Sequence, residues 1–438
     1  MSTSSEQQPV HGGAMTRGAF LRGAMGGAAA LTLPGFLAAC GTSSGGGGGG
    51  TLSLIGVADE RTPLQQLTAL YKKDNPDTTF KASYAPVDQV QTSVRAQLGA
   101  GNAPDVHVLY PGNGSSMAMV QVAQAGLLAD LSGQPWTKFI PDTFKPAFDY
   151  KGKTYLYSAG SSVIGAIYNK KVFEKAGVEP PKTWSDLLAV CAKIKKAGTI
   201  PIVVGAQTPW VTQLITYALV PSTVYAKDPK FDDQQLAGKT TFEQSGWRDA
   251  MEMYLELQRR GFFNPSPNGT TFEQQTSMVA TGKAAMAVQV SAVLGVFREA
   301  AASPDDIGMF PFPGSDDAAQ MRIPAGIVVG LGVSSRGKEV DEAKRFIDFL
   351  GKPENINRWA QAVAAIPLKR DSSSKIDPVL DSFLPFIDDG KADPFMDQRW
   401  PNAEVQPTHF AVIQDLLGDK ISVDGALKKM DEAYAKKS

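Results

Sequence analysis

The sequence predicts an α/β fold, a mixed sheet with helices on its faces, and three observations carry that prediction. Short β-type runs alternate along the chain with amphipathic helical runs, the pattern of strand-and-helix layering. Threonine-led capping signals open the helices. No segment repeats with a period of roughly 20 to 50 residues, which sets solenoids and propellers aside. At 438 residues the chain has the length of one large two-lobed domain or of two ordinary ones.

Residues 51–57 (TLSLIGV) read as the first strand, and Thr62-Pro63 then opens a helix, with threonine as N-cap and proline at the first helical position. Leu64, Leu67, Leu70 and Tyr71 share one face of that helix. Phe80, Ala82 and Tyr84 alternate in a second strand. The turn at Asn102-Ala103-Pro104-Asp105 leads into a third strand carrying Val106, Val108 and Tyr110. Thr183-Trp184-Ser185-Asp186 is a variant capping box, and the helix behind it turns Leu187, Cys191 and Ile194 inward. A strand predicted over 327–333 feeds a helix with Ala343, Phe346, Ile347 and Leu350 on one side. Ligands of open α/β sheets gather beyond the C-terminal ends of strands, which directs attention to residues 58–61, 110–114 and 207–210.

The first fifty residues form an address rather than a fold. Arg17 and Arg22 precede an apolar, Gly- and Ala-rich run over 24–39 that stops at Leu37-Ala38-Ala39-Cys40. This order of basic, apolar and small residues predicts a signal peptide over 1–39, too short to serve comfortably as a permanent span. The closing tetrapeptide resembles the lipobox of bacterial lipoproteins, which implies acylation of the Cys40 thiol and cleavage in front of it. Residues 40–50 then form a lipid-anchored, Gly-rich linker. Thr16-Arg17-Gly18-Ala19-Phe20-Leu21-Arg22 looks like a twin-arginine export signal with Gly18 where the second arginine belongs, so the export route stays open.

Composition narrows the function. With 43 basic and 44 acidic residues the net charge is −1, which supplies no electrostatic reason to bind nucleic acid or an anionic membrane face. The two cysteines, Cys40 and Cys191, stand in settings too different to pair, and Cys191 reads as a small buried hydrophobe. His11, His107 and His409 lie far apart, without zinc-site spacing, and neither metal nor other cofactor is expected. No GxSxG elbow or other nucleophile motif appears, so a binding protein is favoured over an enzyme, although spacing alone leaves a carboxylate pair of hydrolase type open.

Several stretches spread over residues 51–438 resemble the family 1 extracellular solute-binding proteins, the group of maltodextrin-binding and other sugar-binding components of ABC importers. They are Leu98-Gly99-Ala100-Gly101-Asn102-Ala103-Pro104-Asp105-Val106, Ala125-Gly126-Leu127-Leu128-Ala129-Asp130-Leu131, Ala166-Ile167-Tyr168-Asn169-Lys170, Pro180-Pro181-Lys182-Thr183-Trp184, Gly282-Lys283-Ala284-Ala285-Met286, Ile307-Gly308-Met309-Phe310-Pro311-Phe312-Pro313-Gly314, Glu342-Ala343-Lys344-Arg345-Phe346-Ile347-Asp348-Phe349-Leu350 and Ser422-Val423-Asp424-Gly425-Ala426-Leu427. The resemblance implies a two-lobed periplasmic-binding-protein-like fold with a hinge and an interlobe ligand cleft. The expected division assigns 51–160 and 325–370 to the N-terminal lobe, and 161–324 and 371–438 to the C-terminal lobe.

It also implies contacts. Tyr110 and Asn113 stand in a cleft-lining loop, with Asn113 open to a second reading as a turn residue. Ser161 or Ser162 stands where a polar ligand contact is common. Trp210, just after Gln207, matches a stacking aromatic, and Trp400 is a second stacking candidate in a loop-like stretch. Trp184, Trp247 and Trp359 fall in helical patterns and read as core, and Trp136 is left unassigned. Many sugar-binding members carry a tryptophan five or six residues past the methionine of the Gly-Lys-Ala-Ala-Met motif, where this chain has Ser291 and Ala292. Gln289 is then expected to supply polar contacts, Gly326 to act as hinge and cleft wall, and Asp59, Glu60 and Arg61 to read ligand hydroxyls or charge. The implied function is capture of a small carbohydrate, from monosaccharide to short oligosaccharide, by a monomer on the outer face of the cytoplasmic membrane. Its implied partners are the transmembrane subunits of an ABC permease, with the lipid as its only membrane contact. Alternatives are the same role for a polyol, glycerophosphodiester or short peptide, or a two-lobed sensory receptor.

Overall fold

A computed structural model of the chain describes residues 50–115 and 117–436. The signal peptide, Cys40 and most of the glycine-rich linker lie outside the described residues. Two separate hydrophobic cores organise the body. The strands in chain order are β1 (Thr51–Val57), β2 (Thr79–Ala85), β3 (Val106–Leu109), β4 (Asp149–Tyr150), β5 (Lys153–Thr154), β6 (Gly160–Asn169), β7 (Ile200–Ile202), β8 (Ala284–Val290), β9 (Ile307–Phe310), β10 (Ile323–Gly326), β11 (Gly330–Val333), β12 (Ile366–Pro367) and β13 (Ala392–Asp393).

The first core is built on a four-stranded sheet in the order β11-β3-β1-β2. β1 runs parallel to β2 and β3, while β11 closes the sheet antiparallel to β3. β3 is buried along its whole length, as expected of a strand covered on both faces, whereas the edge strand β2 stays half-open to solvent. Leu64, Leu67 and Tyr71 pack inward from the helix Arg61–Asp74. That helix begins earlier than the threonine signal suggests: Glu60 occupies the N-cap without a side-chain cap, and Thr62 and Pro63 lie inside the first turn.

The second core surrounds the ten-residue strand β6, within a sheet ordered β13-β10-β6-β8-β7, with β9 and β12 also pairing with β6. All but one residue of β6 is buried, because sheet and helices cover it on both faces. The helix Trp184–Lys196 is capped as the sequence predicts, the Thr183 hydroxyl accepting from the Asp186 amide at 3.1 Å. Cys191 is fully buried on its inner face, and burial pushes its thiol pKa up, consistent with an inert core residue.

The chain passes from one core to the other around 159–163, at 325–327 and again over 359–380. The strand expected over 327–333 loses its first three residues for this reason. β10 ends at Gly326, residues 327–329 cross outside any strand, and β11 begins at Gly330. At the crossing Gly326 pairs with Ser162 of β6, and the buried Gln398 side chain donates to the Ile327 carbonyl at 2.7 Å. A second tie is made by loop backbone: a Cβ on Gly112 would lie 2.2 Å from the Gln398 carbonyl oxygen, and one on Gly114 2.0 Å from that of Asp397. Glycine alone allows that approach, and Gly112 also holds a left-handed φ of 68°.

Candidate functional site

A cavity of 320 Å³ opens between the two cores. One wall comes from the first core, with Val57, Tyr110, Tyr157, Ile327 and Trp359; the other comes from the second, with Ile164, Leu214, Tyr217, Val290 and Phe395. Its size and mostly apolar walls with a few polar groups are those of a small-molecule site.

On the first wall, the 3-10 turn Ala58–Glu60 follows β1 directly and delivers Asp59 and Glu60 to the cavity. One carboxylate oxygen of Glu60, Oε2, is shut off from solvent and has no hydrogen-bond partner. Burial, with the neighbouring Asp59 charge adding to it, pushes the Glu60 pKa up to about 8. Asp59 is raised as well, first by burial and then by the charges of Glu273 and Glu299. Asp88 and Gln91 come from the helix Val87–Gly99. Tyr110 lines the same space, with its hydroxyl enclosed by protein beside Gln91.

On the second wall, Trp210 sits on the 3-10 turn Pro209–Val211, half-buried, its ring tilted 53° against Phe272 at 5.0 Å. Tyr217 lies on the helix Leu214–Val220, 1 % exposed, with an unpartnered hydroxyl. Asp397 comes from the turn Met396–Arg399, with its carboxyl beside that hydroxyl, whose approach partly offsets the effect of burial on the acid. Burial raises Asp397 to about 6. Gln406, Pro407 and Phe410 complete this side from the helix Val405–Leu417. No lysine or arginine is among the described residues that line the cavity.

Of the residues singled out in the sequence as ligand contacts, Asp59, Glu60, Tyr110, Ser162 and Trp210 line this cavity together. The others do not. Trp400 is 2 % exposed and packs in an aromatic cluster with Tyr217, Phe242, Trp247 and His409 at centroid distances of 6.1–6.2 Å, so it is a core residue and not a stacking platform. Gln289 is fully buried in β8, donating to the Gln275 side chain at 2.6 Å, which leaves it no reach toward a ligand. Asn113 donates its side-chain amide to the Pro401 carbonyl, a loop-to-loop tie, and is not among the residues lining the cavity. Arg61 turns away, its guanidinium 5.5 Å from the centre of the Tyr84 ring. Gln207 is exposed beside the site rather than in it, and Gly326 is sealed under Phe395.

Sequence reasoning missed Tyr157, Tyr217, Asp397, Gln406 and Phe410. Tyr217 sits in a helix apolar nearly all round, where no periodicity marks a ligand face. Asp397 stands three residues before the tryptophan that drew attention instead. Ala292, at one of the positions where a tryptophan is missing, lines the cavity, so the shorter side chain enlarges it there.

The family model "Bacterial extracellular solute-binding protein" matches residues 57–356. A multiple sugar-binding protein of Streptococcus mutans is 21 % identical over 72 % of this chain and 75 % of its own length. The sn-glycerol-3-phosphate-binding periplasmic protein UgpB of Escherichia coli is 26 % identical over 70 % of this chain and 71 % of its own. Among solved structures, a chitin oligosaccharide binding protein superposes with a TM-score of 0.73, covering 87 % of this chain and 98 % of that protein at 22 % identity, and so shares its fold. With more than half of its length matched by the family model, and with two cores flanking one cleft, the chain belongs to the bacterial extracellular solute-binding proteins.

Proposed function

We propose that this protein captures a small carbohydrate in the cleft and delivers it to an ABC permease, acting by binding and not by catalysis. The observation that carries this reading is the pairing of aromatic and carboxylate groups around one cavity. Trp210 and Tyr110 come from opposite walls, with Asp59, Glu60, Asp88 and Asp397 among them. A sugar ring presents C–H groups on its face and hydroxyl donors on its rim, so aromatic planes and carboxylate acceptors suit it. No lysine or arginine is among the described lining residues, so a phosphate, under the glycerophosphodiester alternative, would have to rely on neutral donors such as Ser158, Ser162 and Trp210. The polyol, short-peptide and sensory-receptor readings lack a specific observation in their favour.

The expected lobes, 51–160 with 325–370 and 161–324 with 371–438, turn about the crossings as the cleft closes on ligand. Supporting this division, the two cores change hands near those boundaries. The proposal includes a monomer tethered through acylated Cys40 to the outer face of the cytoplasmic membrane, supported by the Leu37-Ala38-Ala39-Cys40 sequence. A ligand that binds only the folded state raises the melting temperature, by about 2.7 kcal/mol of added stability at a hundredfold excess over its dissociation constant. A thermal-shift screen of residues 41–438 should therefore respond to sugars, with the responding sugar recovered unchanged. A response confined to non-sugars, or turnover of the sugar, would sink the reading.

A further inference from the structure

The charges around the cleft are strongly one-sided. Asp59, Glu60 and Asp88 lie on one wall and Asp397 on the other, with no lysine or arginine among the described lining residues. The charges bearing on Asp59 are those of Glu273 and Glu299, which stand on the helices Phe272–Ala280 and Leu294–Ala300 of the opposite core. The nearby cation, Arg61, is drawn off over the Tyr84 ring. Carboxylates gathered for structural reasons normally acquire partners, as Asp393 does from Arg322 at 2.7 and 2.9 Å. Here the opposite holds: Glu60 is part of the cavity wall, and its Oε2, enclosed by protein, has no hydrogen bond. Like charges crowded into a partly desolvated cleft repel one another, and unpartnered acceptors there are costly until a ligand meets them. A neutral sugar satisfies acceptors but leaves the repulsion in place. A ligand ammonium satisfies both, taking the place of the proton that Glu60 holds in the empty cleft and releasing it to solvent.

We propose that the cleft selects carbohydrates bearing a basic nitrogen, that is amino sugars, with the ammonium held by Glu60 and Asp59. This deepens the carbohydrate reading and rests on it. Glu60 acts as the specificity-determining residue, while Trp210 serves neutral and basic sugars alike.

Paired ligands test this: chitobiose, whose nitrogens are acetylated and neutral, against its fully de-N-acetylated counterpart, and glucose against glucosamine, by calorimetry at about pH 7 and low salt, where a ligand ammonium competes with the Glu60 proton. The expected result is at least about tenfold tighter binding of the amine in one pair, falling steeply with added salt. Glu60→Gln should bring the two affinities of that pair together, and Asp59→Asn should do so in part, with melting curves showing that each variant is folded. Equal or tighter binding of the neutral partner would overturn the amino-sugar selectivity while leaving sugar capture standing. Retention of the preference by both variants would overturn the assignment to these carboxylates. No binding of any sugar, including a wider neutral panel, would remove the carbohydrate reading and this inference together.

Discussion

The Tyr71 hydroxyl donates to Glu342 Oε1 at 2.8 Å, joining two helices 271 residues apart in the chain. The first belongs to the segment that builds the first core, the second to the segment that returns to it after the second core is complete. The Thr78 hydroxyl donates to the same carboxylate oxygen at 2.6 Å, and Arg345 Nε donates to the other at 2.9 Å. Burial favours the protonated acid, but the hydrogen bonds from Thr78, Arg345 and Tyr71 outweigh it and hold the Glu342 pKa below its ordinary 4.5.

Replacing Glu342 by alanine leaves the Tyr71 and Thr78 hydroxyls buried and unpaired, at an expected cost of about 2–3 kcal/mol, whereas Tyr71→Phe should cost about 1 kcal/mol. Urea denaturation of the two variants checks the ratio. Because the folded pKa is lowered, the wild-type contribution is present above the ordinary value and is lost as the pH falls through the lowered one. The Glu342→Ala deficit should therefore shrink in acid.

Trp210 and Trp400 should separate cleanly. Trp210→Ala is expected to weaken sugar binding at least about tenfold, a loss of about 1.4 kcal/mol or more, with little change in melting temperature. Trp400→Phe should do the reverse, lowering stability by about 1–2 kcal/mol through the void left in its aromatic cluster while leaving affinity within a few-fold. Calorimetry and thermal melts on both proteins make the comparison. Affinity lost equally by both would mean that the aromatic cluster, not the Trp210 face, controls the cleft.

Gly112→Ala places a methyl group against the Gln398 carbonyl and forces a left-handed φ on a residue with a side chain. The expected cost is about 2 kcal/mol or more, read by urea denaturation. Gly101 makes a useful control, since its φ of 72° is just as left-handed but nothing lies within 4 Å of a Cβ there. The excess cost at Gly112 over Gly101 measures the close approach of the two loops.

Stability should also fall toward alkaline pH in the absence of ligand. The Glu60 pKa is raised in the folded protein, from an ordinary 4.5 to about 8, so folding favours the protonated acid. Its contribution is full below about 4.5 and is lost as the pH rises through about 8. Asp397, raised from 3.8 to about 6, acts in the same direction at lower pH. Glu60→Gln cannot ionise, so it should melt several degrees above the wild type near about pH 8.5 and close to it near about pH 5. An unchanged difference across that range would show that Glu60 ionises in the empty cleft as it does in water.

The cleft was only partly legible in the residues. Glu60, Tyr110 and Trp210 follow strands or the loops beyond them, where backbone geometry makes a ligand site expected, and local sequence is enough to find such positions. Trp400 shows the limit of that reasoning. Its setting, Asp397-Gln398-Arg399-Trp400-Pro401, reads as a loop, yet its ring is enclosed by residues from three other stretches of chain, while Asp397 in the same turn faces the cavity. Burial of a loop side chain depends on which distant segments arrive beside it, and periodicity carries no record of them.

Local order was a property of the chain itself. The first strand over Thr51–Val57, the Thr183 cap and the inward faces of the helices Trp184–Lys196 and Val340–Leu350 follow from alternation, hydrogen-bonding side chains and spacing within a few residues. Where β11 begins was decided by the tertiary structure, because the run over 327–333 reads as one strand and its first three residues are taken up by the crossing between two cores. The one-sided charge of the cleft belongs to the same level. Acidic and basic residues balance along the sequence, 44 against 43, and their separation into an acidic cavity with its arginine turned aside exists only once walls from distant segments face each other.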